Sequence, residues 1–548
     1  MWRRVFGGRG AKIPTVSEKP GNSFARLWEA LRAYVVSHPD AVAFMLLATV
    51  ARVIFWVVTD RRWEDALITI TTARNGALGH GLVHHMGEGH ANWGFTSPLS
   101  VLIPFVGEVL HAGAGMLSLR LASIAGAIVA IGCAEAIARD LRLGRFPTWF
   151  AMGYLALERN QIFYGMSGME TQVSVAILLL AALALARKED TLAGLALGLC
   201  PLARPDFVIF VGPALVLAGR RRAPRLAALA AAVLLPWVAF TALYYGSVIP
   251  PSIRAKAAVT AVATPDSLGG LVGWTLDRIH EHRHDWRFFC PFLGMNPGVI
   301  PVPYLFLFAS ALVFLGFIVA GLVATVRVEA IRPAAVYVVL YTVYRVLFLP
   351  SVYFDWYLPP FQAFCAIFAA AGLTALARRA PRTATALSLT LLFVSGLHFP
   401  WTLALERDTQ RRYEDETRKP LGLYLATVVP PGEEVMSESA GYFGYYSDVL
   451  LWDYPGLTSP HVRFAIAGLP PGRENRTLCR AVDLLRPRWL ILRRPEVKEL
   501  LAKFPDAAAR YKVVKVVTAP GDGPPEWGGL RHDLVEFDRQ FYLLKRVY

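Results

Sequence analysis

Two acidic residues, Glu64 and Asp65, stand side by side just beyond the apolar run 41–59. Adjacent carboxylates can divide the work of general-base chemistry, one taking a proton from a hydroxyl while the other orients it, or they can hold a cation together. Ionisable groups at the rim of a bilayer are functional suspects, because a polar substrate has to be met there. The stretch 63–102 that follows offers Arg74, His80, Trp93 and Thr96 as polar and aromatic contacts, set among Gly79, Gly81, Gly87, Gly89 and Gly94. A second charged constellation, Arg204-Pro205-Asp206, interrupts an apolar run. A broken helix is tolerated in a bilayer only against protein or a wet cavity, so Arg204 and Asp206 are candidates for lining a site. Asp355 and Tyr357 lie in the aromatic stretch 353–360, where Asp355 is the sole charge and reads as a substrate contact. Trp93 and Tyr357, taken singly, suit an interfacial aromatic belt better than a sugar contact. The histidines, His80, His84, His85 and His90 with His280, His282 and His284, match no defined metal spacing.

The elements that must position these groups are membrane helices. The chain has 548 residues, 55% of them hydrophobic, and a mean hydropathy of +0.41. That composition excludes an ordinary soluble protein. The formal charge of +15 does not call for nucleic acid, since Arg221-Arg222 and Arg378-Arg379 sit between apolar runs where positive-inside retention accounts for them. Residues 1–40 read as a cytoplasmic segment. Apolar runs at 41–59, 116–138, 146–162, 170–185, 226–244, 304–322, 334–349, 358–375 and 385–401 read as spans, and 191–219 as a broken pair, making about eleven membrane segments. Residues 41–402 then form a transmembrane catalytic domain with outer loops 60–115 and 245–300. This count puts Glu64, Asp65, Asp355 and everything after residue 402 on the extracytoplasmic face. Residues 403–548 are charged and turn-rich, with short strand patterns near 434–437, 449–452, 489–492, 513–517 and 541–546, the signature of a mixed α/β domain. Of the five cysteines, Cys290 and Cys479 can face outside; whether they pair is open.

Several pieces resemble one family. They are Glu64-Asp65-Ala66-Leu67-Ile68-Thr69 with Ala73-Arg74-Asn75, Gly79-His80-Gly81, Gly94-Phe95-Thr96-Ser97-Pro98, Ser167-Gly168-Met169-Glu170-Thr171, Arg204-Pro205-Asp206, Tyr245-Gly246-Ser247 with Ala255-Lys256, and Asp453-Tyr454-Pro455-Gly456. Together they resemble bacterial polytopic glycosyltransferases of the GT-C class that use polyprenyl-phosphate sugars, in particular the mycobacterial terminal arabinofuranosyltransferase branch. Glu64 departs from the Asp more usual among relatives at that position, and Met169 from a common Leu.

The resemblance implies transfer of a sugar, arabinofuranose in that branch, from a polyprenyl-phosphate donor to a hydroxyl of a cell-envelope glycan. The enzyme would lie in the bacterial inner or plasma membrane with its active site on the extracytoplasmic face. Asp65 would act as base, with Glu64 orienting the acceptor. Arg204, Lys256 and Arg254 would meet the donor phosphate, with Arg159 a weaker candidate. Arg74, His80, Trp93, Thr96, Asp355 and Tyr357 would contact substrate. No cofactor is certain; a divalent metal, if one is used, would fall to Glu64 and Asp65. The partners are donor, glycan acceptor and membrane lipid, with no nucleic acid. Two other readings stay open: a transferase of the same class for another sugar or acceptor, and a transporter of lipid-linked precursors.

Overall fold

Apolar helices build the first three quarters of the chain, and their outward faces show what surrounds them. In the helix Pro39–Thr59, Ala41, Ala48, Ala51 and Phe55 are buried, while Leu46, Val50, Val53 and Val57 are exposed. An apolar face left uncovered over a whole helix suits lipid rather than water. The computed structural model describes residues 23–87, 93–260, 267–282, 304–349, 355–469, 477–521, 526–527, 530–531 and 537–547.

Among the described residues, seven helical segments are long and apolar enough to cross a membrane: Pro39–Thr59, Gly115–Asp140, Pro205–Tyr244, Phe308–Thr325, Glu329–Phe348, Asp355–Ala377 and Pro381–Val428. This corrects the count of eleven with a broken pair. The difference lies in runs that hydropathy alone accepts as spans. Run 146–162 breaks at Glu158 into the helices Arg145–Leu157 and Arg159–Met166. Thr171–Ala186 and Asp190–Ala203 are apolar but have only 16 and 14 residues, short of the roughly 20 that a hydrocarbon core requires. The interruption at Arg204 is real, with extended backbone there, but the segment after it continues to Tyr244. Its only non-helical residue is Gly219 (φ 75°, ψ 165°), just before the basic cluster.

Arg52, wholly buried in the first span, shows how the Glu158 break is tolerated. Its guanidinium donates to the carbonyls of Ala48, Leu155, Ala156 and Gln161 and to the Gln172 side chain at 2.9–3.2 Å. Carbonyls that lose their helical partners at the break thus acquire a charged donor.

The C-terminal part is a mixed α/β domain. β1 (Glu434–Ser437), β2 (Leu450–Asp453), β3 (Trp489–Arg493), β4 (Tyr511–Thr518) and β7 (Gln540–Arg546) form one sheet in the order β2-β1-β3-β7-β4, with β5 (Glu526–Trp527) and β6 (Leu530–Arg531) a separate hairpin. β1 is parallel to β2 and β3, whereas β7 runs antiparallel to β3 and β4. Val435, Leu451, Ile491 and Leu543 fill one face of the sheet together with Leu421 and Leu425. Met436, Leu490 and Leu492 pack the other face with Val462, Val482 and Leu500.

The helix Glu64–Ala77, which we call α1, joins the two parts. The sequence suggests a helix lying on the membrane surface with Thr69, Thr72 and Arg74 on a polar side. Instead α1 is enclosed: Ile68 enters the core of the C-terminal domain, Leu67 and Ile70 pack with Leu119 and Tyr442, and Ala73 packs with Trp93, Phe95 and Val101. Thr72 is fully buried and satisfies its hydroxyl by donating to the Ile68 carbonyl at 3.0 Å. Part of the cover, Tyr442 and the C-terminal residues around Ile68, comes from more than 300 positions away, which helical periodicity cannot register.

Candidate functional site

Glu64 and Asp65 occupy the first turn of α1, where unpaired amides favour negative charge. Successive residues on a helix point about 100° apart, and here that separation assigns them to different surroundings. Asp65 lines an open cleft of about 590 Å³. The charged lining residues are Asp65, Glu170 and Arg204; Thr69, Thr96, Ser97, Ser100 and Ser252 supply hydroxyls, and Phe95, Trp356 and Tyr357 supply aromatic surface.

Glu64 turns toward the C-terminal domain. One carboxylate oxygen accepts the Gly441 backbone N–H at 2.7 Å, and the other lies 3.6 Å from the Arg418 guanidinium. Burial pushes the Glu64 carboxyl up to about 7, against the pull of Arg418. Gly441 is required by this approach, because a β-carbon there would come 2.0 Å from the Glu64 carbonyl oxygen. Behind Glu64 runs a chain of buried ion pairs. Arg418 pairs with Glu414 at 2.9 Å and Asp538 at 2.6 Å, and Asp538 pairs with Arg493. Glu414 also meets Arg61 at 2.9 Å, and Glu406 joins Arg61 to Arg159. Burial opposes ionisation of Asp538, but its two arginines outweigh that and hold it below the usual carboxylate range.

Arg204 enters the cleft from the break before Pro205. Its side chain is 3% exposed, donates to Asp206 at 3.1 Å and to the Trp356 carbonyl at 2.9 Å, and lies 4.0 Å over the Tyr357 ring. Its Nη2 makes no hydrogen bond among the described residues, so a fixed cation keeps donor capacity on the cleft wall. Thr96 joins the cleft by a 3.0 Å hydrogen bond to Ser252.

The remaining sequence candidates are placed elsewhere. Arg74 holds the C-terminal domain, donating to the Tyr445 carbonyl at 3.1 Å and to Asp448 at 2.5 Å. His80 is exposed on the turn after α1. Trp93 is buried and stacked on Tyr245, with ring centroids 5.0 Å apart. Asp355 opens a single helical turn beside the cleft residues Trp356 and Tyr357 but does not itself line the cleft. Arg159 is committed to Glu406 at 2.7 Å. Arg254 is exposed, and the Lys256 side chain lies outside the described residues. So do His90, His284 and Cys290, while Cys479 is a buried free thiol donating to the Glu496 carbonyl.

Sequence reasoning assigned no role to Glu170, although it belongs to a quoted motif. Its signal is the one that singled out Glu64 and Asp65: a carboxylate at the end of an apolar helix, here Thr171–Ala186. The two carboxylates that share the cleft are therefore Asp65 and Glu170 rather than Asp65 and Glu64. Among the described residues, no group of three or more His, Cys, Asp or Glu converges as a metal site.

Solved structures share this architecture. ArnT from Cupriavidus metallidurans in its apo state aligns over 94% of this chain and 98% of its own, at 11% identity and a TM-score of 0.53. The same protein bound to undecaprenyl phosphate aligns with a TM-score of 0.51. The oligosaccharyltransferase of Archaeoglobus fulgidus aligns over 88% of this chain and 74% of its own, at 11% identity and a TM-score of 0.51. The chain shares the fold of these structures. The fold is all that this likeness carries at such identity. The mycobacterial arabinofuranosyltransferase AftD aligns at 14% identity and a TM-score of 0.43 over 92% of this chain and 40% of its own, too distant a likeness to carry an argument. Residues 406–537 match a domain of unknown function, DUF8728. No curated protein sequence matches the chain.

Proposed function

We propose that the protein is a glycosyltransferase that moves a sugar from a polyprenyl-phosphate donor to a hydroxyl of a cell-envelope glycan, with arabinofuranose the sugar suggested by the motif resemblance. The observation that carries this reading is one cleft with two carboxylates, Asp65 and Glu170, and a braced guanidinium, Arg204, in its wall. In the proposed reaction the acceptor oxygen forms a bond to the anomeric carbon while the bond from that carbon to the phosphate oxygen breaks. The hydroxyl proton passes to Asp65, and the electron pair leaves with the phosphate. Negative charge grows on the phosphate as the bond opens, and Arg204 stabilises it; held by Asp206, the Trp356 carbonyl and the Tyr357 ring, it needs little reorganisation. One such displacement inverts the anomeric centre.

A divalent cation, if the reaction uses one, finds two candidate oxygen ligands in Asp65 and Glu170, whereas Glu64 is engaged by Gly441 and Arg418. We further propose that the active site faces the extracytoplasmic side and that residues 403–548 form a domain on that side. The test is turnover in a bilayer nanodisc with a panel of polyprenyl-phosphate sugars. Free polyprenyl phosphate should appear only when donor and glycan acceptor are both present, with linkage analysis naming the sugar. Movement of intact donor across a vesicle without its cleavage would replace this proposal with transport.

A further inference from the structure

The C-terminal domain holds a second, open recess, distinct from the cleft, lined by Arg494, Pro495, Lys498, Thr518, Phe537, Arg539 and Gln540. Three of these seven residues are cationic and none is acidic. Among the described residues, the nearby carboxylates are already committed: Asp538 to Arg418 and Arg493, Glu496 to Arg493, and Glu499 to Lys503 at 3.1 Å. Arg494 and Lys498 are both exposed and stand four residues apart on the helix Arg494–Lys503, so they share one face. Like charges at that spacing destabilise a helix unless an opposite charge lies between them. Thr518 accepts a 2.9 Å hydrogen bond from Gln540 and keeps its hydroxyl hydrogen to donate. Phe537 is 49% exposed and rests on the Arg493 guanidinium at 4.9 Å, giving the recess one fixed apolar wall.

Position adds to composition. Arg494 follows the carboxyl end of β3, and Arg539 precedes β7, which pairs with β3. Phe537 and Arg539 flank Asp538, the link through Arg418 to Glu64. The recess therefore lies at the end of the sheet that is tied to α1.

We propose that this recess binds a phosphate group carried on glycerol or a sugar: the cations and the Thr518 hydroxyl hold the phosphate, and Phe537 covers the polyol. The proposal stands apart from the transfer reaction, since none of its residues lines the cleft. The probe is glycerol 3-phosphate, titrated calorimetrically against the full chain in phosphatidylcholine nanodiscs, with glycerol as the uncharged control. Saturable binding that weakens as salt is raised is expected. Arg494→Ala with Lys498→Ala should weaken it about tenfold or more, the scale of one lost charge-assisted hydrogen bond, without lowering the unfolding temperature. Asp65→Asn should bind the probe as wild type does, which separates failure here from failure of the transferase reading. Phosphatidylglycerol in the nanodisc distinguishes the source: competition with the probe assigns a lipid headgroup, and its absence a soluble phosphorylated glycan. No saturation at low salt, or undiminished binding in the double variant, overturns the proposal.

Discussion

Asp65 and Glu64 present the same functional group, yet only Asp65 reaches the cleft. Asp65→Asn keeps the size of the side chain but cannot take a proton at neutral pH, so transfer should fall by about 10²–10⁴-fold with donor binding retained. Turnover and donor binding measured on one preparation check this, and normal transfer by D65N ends the assignment. Equal losses in D65N and E170Q, with arrest of the wild type by a divalent chelator, would make the two carboxylates metal ligands instead. Glu64 has a different signature. Its carboxyl titrates near 7 in the folded protein against an ordinary value of 4.5, so the folded state holds its proton over a range where the unfolded chain has released it. Stability from this group is complete below pH 4.5 and is lost as pH rises through 7. Glu64→Gln should remove that component, so the gap in unfolding temperature between E64Q and wild type should move in favour of E64Q as pH rises from 4.5 to 7. A gap that does not change with pH would refute the assignment.

At the scale of elements, α1 is located by its contact with the outer domain. Gly441 meets the start of α1 so closely that Gly441→Ala must push Glu64, and Asp65 with it, away from their present positions. Overpacking of this kind costs about 1–3 kcal/mol. The unfolding temperature should drop, and turnover should fall further than the loss of folded protein explains. Turnover proportional to folded protein would show that the outer domain does not position Asp65. Gly94 makes the companion contact: a β-carbon there would come 2.4 Å from the Thr458 side chain. Asp453 holds that loop by accepting from the amides of Leu457 and Thr458, at 2.6 and 2.7 Å, and Leu457 itself lines the cleft. Elements from both parts of the chain therefore shape one site.

For the whole molecule, the distribution of arginines predicts orientation. Basic clusters such as Arg220-Arg221-Arg222, beside the interruption at Gly219, should lie in the cytoplasm, and the cleft and outer domain on the opposite side. In a cysteine-free background, an impermeant thiol reagent applied to intact cells should label single cysteines at the exposed positions His80 and Lys512 but not at Arg221. Labelling of Arg221 alone would reverse the orientation and place the proposed reaction on the cytoplasmic side.

Composition and periodicity were enough to read helical membrane segments followed by a mixed α/β domain, because both signals are local. The five strand patterns match the five strands of the main sheet to within two residues at each end. The acidic pair and the Arg204 break were legible for the same reason: charge beside apolar sequence stands out without knowledge of the fold. The membrane count was not, since hydropathy does not distinguish a 16-residue apolar helix sheltered by its neighbours from one that crosses lipid. Nor was the division of labour between Glu64 and Asp65. It depends on Gly441 and Arg418, more than 350 residues away, which draw one carboxylate to the outer domain while Asp65 shares the cleft with Glu170 and Arg204. Residue type determined which groups can act; long-range packing decided which of them meet.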